Sequence, residues 1–151
     1  MTPLRCTLAG FILAGLSLAT TGHAAPSPWN GTWTLDPTRS SAGARDNAAP
    51  GYTFTLSPGQ AIRWEIPAIK EVVTGKTDGT PMVITRAAKP TALTLSVLSD
   101  GDLTLHYKVA RNGQPAGAGT MTLIEGGKAW VDISWQAGKQ LYAGELVYVR
   151  R

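Results

Sequence analysis

The feature that most constrains this chain is a period of two. "YTFTL" sets Tyr52, Phe54 and Leu56 against threonines, and "AIRWEI" sets Ile62, Trp64 and Ile66 against Arg63 and Glu65. "LTLSV" and "LTLHYKV" repeat the pattern, the second with Leu103, Leu105, Tyr107 and Val109 on one side and Thr104, His106 and Lys108 on the other. Alternation of this kind marks strands with one buried and one wetted face. With "GTWTLD", "KEVVTG", "PMVIT", "GTMTLIE", "KAWVDISW" and "LYAGELVYV", it predicts nine or ten short strands.

Turn signals separate them. Asp78-Gly79, Asp100-Gly101, Asn112-Gly113, Gly126-Gly127 and Ala137-Gly138 each offer the positive φ of a tight hairpin. No segment after the first two dozen residues carries a 3.6-residue apolar stripe, so the expected class is all-β, an antiparallel up-and-down meander. So many strands leave two exposed edges unless the sheet closes, which favours a barrel over the alternative, a two-sheet sandwich. "PTRSSAGARDNAAPG", Pro37 to Gly51, is the one long irregular stretch, expected to be a mobile loop beside the barrel mouth and tied to little.

The first 24 residues read as an export leader. Arg5 precedes an apolar run, "LAGFILAGLSLA", and "GHA" places small residues before a cleavage point after Ala24. The run is too short and too glycine-rich for a spanning helix, so no stable membrane anchor is expected. Cys6 lies ahead of the apolar run and leaves with the leader, so residues 25–151 form one cysteine-free domain without disulfide, thiol nucleophile or thiolate metal site. The expected location is the periplasm or the extracellular space. Fourteen Lys plus Arg against ten Asp plus Glu give a formal charge of +4, scattered singly, which is no footprint for nucleic acid.

The stretch "NGTWTLDPTRS" resembles the opening of small exported bacterial proteins described as lipocalin-like. Gly31, Thr32, Trp33, Leu35, Asp36, Arg39 and Ser40 fill the places of that opening. The similarity continues through "KTDGTPMVIT" and the segment from Thr94 to Trp135, and ends at "LVYV". It implies a barrel of the lipocalin and fatty-acid-binding type and carries no activity with it. In such a barrel Trp33 plugs the floor, Gly31 lets the chain turn in beneath it, and Arg150 is the candidate for a cation-π contact across the indole. A terminal arginine left in solvent is the alternative. Trp29, before the turn, is expected to cap the floor from outside.

Candidate chemistry is sparse. His106 is the only histidine after the leader and sits on a polar face without a serine or cysteine motif to select it as a base. "SDGD" lacks the ligands of a calcium loop, and "GQPAGAG" lacks the lysine of a phosphate loop and reads as a turn entering a strand. No metal or cofactor is therefore expected. "AWVDISW" is less bland, with Trp130, Asp132 and Ser134 on one face and Val131, Ile133 and Trp135 on the other. Counting apolar residues turns the Val131 face inward. If the Trp130 face points inward instead, Asp132 and Ser134 become polar groups in an apolar cavity, the arrangement that orients a ligand. Glu145 raises the same question, and Glu65 and Glu71 are expected outward. Trp64, His106, Trp130, Asp132 and Ser134 are the candidate ligand contacts.

Three functions follow as expectations. The first is an exported barrel holding a small apolar or amphipathic ligand inside, without covalent chemistry. The second is an envelope interaction protein with a filled barrel, meeting a protein or polysaccharide through outer aromatics such as Trp130, Tyr142 and Tyr148. The third, a hydrolase or isomerase, needs His106 or Asp132 in a cleft beside a second polar group.

Overall fold

A computed structural model describes residues 25–137 and 144–151; residues 1–24, the expected leader, and Gly138 and Tyr142 lie outside the described residues. Ten antiparallel strands close into a barrel in chain order. They are β1 (Gly31–Leu35), β2 (Gly51–Ser57), β3 (Ala61–Ile66), β4 (Glu71–Lys76), β5 (Met82–Arg86), β6 (Lys89–Asp100), β7 (Thr104–Arg111), β8 (Gln114–Ile124), β9 (Ala129–Gln136) and β10 (Glu145–Arg150). The architecture is compatible with a lipocalin-like fold, and closure leaves no place for the two-sheet alternative. The seam is the ladder between β1 and β10, where Trp33 faces Arg150, Thr34 faces Val149 and Leu35 faces Tyr148. Among the described residues no helix is long and apolar enough to cross a membrane.

β1 begins and β10 ends at the same end of the barrel, and that end is the closed one. Trp33 is fully buried, its indole N–H donating to the Trp29 carbonyl at 3.0 Å. This bond folds the N-terminal segment back under the sheet and carries Trp29 into the core, correcting the expectation that it caps from outside. Trp29 is 1% exposed, meeting Phe54 edge to face at 5.9 Å and Trp130 at a tilt at 6.2 Å. Arg150 lies 4.2 Å from the Trp33 ring, and its guanidinium donates to the carbonyls of Pro28, Asn30 and Gly127. Gly31 has φ +136°, and a β-carbon there would come within 2.8 Å of the guanidinium, so the glycine and the arginine share one space.

The opposite end carries the 36–50 connection. It is anchored rather than tied to little, and contains a helical turn, α1 (Ala42–Arg45). The Ser40 hydroxyl accepts from the Val147 amide at 2.9 Å and donates to the Asp36 carbonyl at 2.7 Å, while Arg45 donates to the Pro37 carbonyl at 2.7 Å. Ala44 and Ala48 pack onto the core. Small residues that read as looseness in sequence let this segment lie close over the barrel mouth.

"GQPAGAG" is, as read, a turn entering a strand: Gly113 sits in the turn and the rest runs into β8, with a register shift opposite Val109 and Ala110. Ala87-Ala88 forms a two-residue turn between the paired Arg86 and Lys89, with φ of 46° and 61°. Alanine carries no turn signal, so this hairpin is invisible to residue preference.

Left-handed conformations cost an L-residue roughly 1–2 kcal/mol, and Asn-Gly meets the same geometry with less strain. The double substitution Ala87→Asn with Ala88→Gly is expected to stabilise the protein by about 1 kcal/mol in urea denaturation. At the floor, Arg150→Ala is expected to cost about 1–2 kcal/mol, given the exposure of the guanidinium. Gly31→Ala should cost about 1–3 kcal/mol through strain and collision. The double variant Gly31→Ala with Arg150→Ala should lose less than the sum, because the collision partner is gone; strict additivity would remove the shared-space account.

Candidate functional site

Which face of β9 points inward is decided by its neighbours. Trp130 stands opposite Leu123 of β8 and Tyr148 of β10, and Asp132 stands opposite Met121 and Leu146. All four partners are buried, so the Trp130 face is the inner one. This corrects the count of apolar residues: Ile133 is 43% and Trp135 48% exposed, whereas Trp130 is fully buried. The outer aromatic patch expected from Trp130 and Tyr148 does not form, because the two rings stack inside the barrel at 4.2 Å. Tyr142, its third member, lies outside the described residues.

Above that stack the barrel is hollow. A cavity of about 430 Å³ opens at the mouth, roofed by Gly43, Ala44 and Ala48 and walled by Tyr52, Tyr107 and Leu146. A smaller one of about 150 Å³ lies deeper against Trp64, Ile84 and Leu95. Tyr52, Tyr107, Val109 and Asp132 line both, so these four residues form the partition between mouth and interior. Ser134 lines the upper cavity one step above Asp132. Ring edges frame the partition: Tyr52 meets Trp64 at 5.6 Å and Tyr148 at 5.1 Å, and Tyr107 meets Trp64 at 5.9 Å.

Asp132 is the chemical centre of this space. The Tyr107 hydroxyl donates across both its carboxylate oxygens, at 3.0 and 3.2 Å. Burial pushes its pKa up to about 6, a rise that the Tyr107 hydrogen bond opposes. Burial also drives the Tyr52, Tyr107 and Tyr148 phenols well up, so they remain hydroxyl donors. Gly119 makes the pair possible. It faces Tyr107 across the ladder, and a β-carbon there would sit 2.5 Å from the phenol. The Tyr148 hydroxyl donates to the Ala49 carbonyl at 2.9 Å, tying the roof to the ring of aromatics beneath.

The remaining candidates separate. Trp64 lies in the inner wall, while His106 is on the outer face, bonded through Nδ1 to the Thr120 hydroxyl at 2.9 Å and 3.6 Å from Asp100. It does not share a space with Asp132. Glu65 is held by Arg63 at 2.6 Å, on the outside. Glu71, expected outward, is 8% exposed and lines the deeper cavity, with its charge met by Arg86 directly across the ladder at 2.7 Å. Tyr52 and Tyr107 were legible only as inward residues of their strands; pairing with Asp132 depends on a partner two strands away. Among the described residues no group of three or more acids, histidines or cysteines is placed to hold a metal.

A broader concavity, about 1030 Å³, lies outside the barrel, lined by Trp135, Ala118, Lys108 and Ala110. It is broad and open, and gathers no buried polar group, so the interior is the better-built site. The chain matches no family model and no curated protein, so the site stands on its geometry alone.

A carboxylate whose pKa is raised by burial favours folding below the unfolded value, 3.8, and loses that contribution as pH rises through about 6. Asp132→Asn keeps an acceptor for Tyr107 and removes the charge. The variant should be more stable than the parent by about 2–3 kcal/mol near neutral pH. The gap should close as pH falls to about 4. Denaturant titrations of both proteins across that range measure it, and a pH-independent gap would contradict the burial of a charge at this position. Tyr107→Phe, which removes the hydrogen bond that lowers the pKa, should move the window upward.

Proposed function

We propose that this protein is an exported lipocalin-like barrel that binds a small apolar or amphipathic molecule in its interior, by non-covalent contacts. The observation that carries this reading is the roofed cavity of about 430 Å³ with the Tyr107–Asp132 pair in its wall. Binding sites for small molecules commonly span roughly 300–1,000 Å³, with apolar linings and a few polar groups that set orientation. Here small residues of the roof and aromatic rings of the wall supply the apolar surface. Asp132, Tyr107 and Ser134 supply the polarity. Asp132 does lie in the cavity beside a second polar group, Tyr107, the placement a hydrolase or isomerase needs. Burial holds that phenol neutral, His106 faces away, and neither histidine nor lysine nor arginine lines either cavity among the described residues, so binding has more support than acid–base catalysis. The leader supports export to the periplasm or beyond. A filled barrel meeting an envelope partner has less support, since the interior is hollow and two of its three aromatics are inside it.

The neutral fluorophore N-phenyl-1-naphthylamine tests the reading. It should bind with one-to-one stoichiometry and a blue-shifted, enhanced emission. Val109 lines both cavities, so Val109→Trp should fill the space and abolish the signal while leaving the floor intact. Absence of binding to the parent, or undiminished binding to Val109→Trp, would overturn interior binding.

A further inference from the structure

Building on the interior site above, we propose that its ligands are organic ammonium compounds, with the charged nitrogen held by Asp132 within the Tyr52, Tyr107 and Trp64 rings and the apolar body beneath α1. Three features converge on this class. The first is charge: Asp132 is 7% exposed, and it is the only charged residue among the described residues lining the upper cavity. The deeper cavity adds Glu71, already neutralised by Arg86. A carboxylate or phosphate headgroup would therefore meet like charge with no cation to receive it.

The second feature is unused hydrogen-bonding capacity. An ionised carboxylate accepts about four hydrogen bonds, and Tyr107 brings a single hydrogen shared between the two oxygens. An ammonium brings two or three hydrogens and a positive charge, and charge-assisted bonds are about twice as strong as neutral ones. A neutral alcohol can donate only one hydrogen and leaves the buried charge uncompensated.

The third is the wall. Tyr52 and Tyr107 reach both cavities, and Trp64 sits behind them within 6 Å of each ring. Aromatic rings around a desolvated cation add attraction that an anion or a neutral group does not gain. The groups facing Asp132 from other strands are the Tyr107, Tyr52 and Tyr148 phenols and the Glu71–Arg86 pair. With the phenols held neutral by burial, Asp132 itself governs ammonium binding between mildly acidic and neutral pH.

Isothermal titration calorimetry of the purified protein with octylammonium chloride, 1-octanol and sodium octanoate decides the matter, because all three are eight-carbon compounds that differ chiefly in headgroup. Near pH 7.5 octylammonium should bind about tenfold more tightly than 1-octanol, with octanoate weakest. The preference should collapse near pH 4.5, where Asp132 is neutral, and in Asp132→Asn at both pH values. His106→Gln, a change on the outer face away from both cavities, should keep the preference, so a loss confined to Asp132→Asn is not a general effect of substitution; near-ultraviolet circular dichroism checks both variants. Octanoate or octanol binding as tightly as octylammonium, or a preference that survives Asp132→Asn, would overturn the ammonium assignment and leave the interior-binding reading standing. No binding of any of the three, together with no binding of N-phenyl-1-naphthylamine, would overturn both.

Discussion

The barrel depends on one seam. Nine of the ten strand pairings join neighbours in sequence, but the tenth joins β1 to β10, so its three residue pairs close a loop spanning almost the whole domain. Such a contact is entropically the most costly in the fold, and it is strengthened where it is weakest. Arg150, at the end of the last strand, covers the Trp33 indole and binds three carbonyls from the segment before β1 and the β8–β9 connection. Without the β1–β10 pairing itself the sheet would have two free edges.

Closure at one end leaves hollowness at the other. The floor is a dense aromatic set in which Trp29, Trp33, Phe54, Trp130 and Tyr148 interlock edge to face or stacked. One step higher the inward residues become Asp132, Gly119 and Tyr107, which cannot fill the section, and the cavities begin there. Asp132 is expensive in this position, since burial penalises its ionised form and one phenol compensates it only in part. A charge held against that penalty, in a roofed space with apolar walls, is the trade of stability for recognition that the proposed binding function calls for.

Much of the fold was legible from local pattern. Period two placed the ten strands, and dipeptides such as Asn112-Gly113, whose φ values are 49° and 77°, marked the hairpins. Trp33 was recognisable as a floor residue from its place after Gly31. Ala87-Ala88 was not, because its left-handed geometry is imposed by the pairing of Arg86 with Lys89 rather than preferred by alanine. Trp29 was misplaced because the bond that draws it inside comes from the Trp33 indole, a contact that alternation does not encode. Glu71 was misjudged for a related reason: its inward position is tolerable only because Arg86 stands across the ladder.

The candidate site shows the division most sharply. From the sequence alone, Trp130, Asp132 and Ser134 had to share one face of a strand, since successive side chains of a strand point to opposite sides. Alternation sets which residues travel together but not which side is the inside. In a strand with a tryptophan on each face, apolar counting has almost nothing to distinguish. Tertiary structure made the choice through register: opposite Leu123 and Tyr148, Trp130 could only point inward, and Asp132 went with it to meet Tyr107.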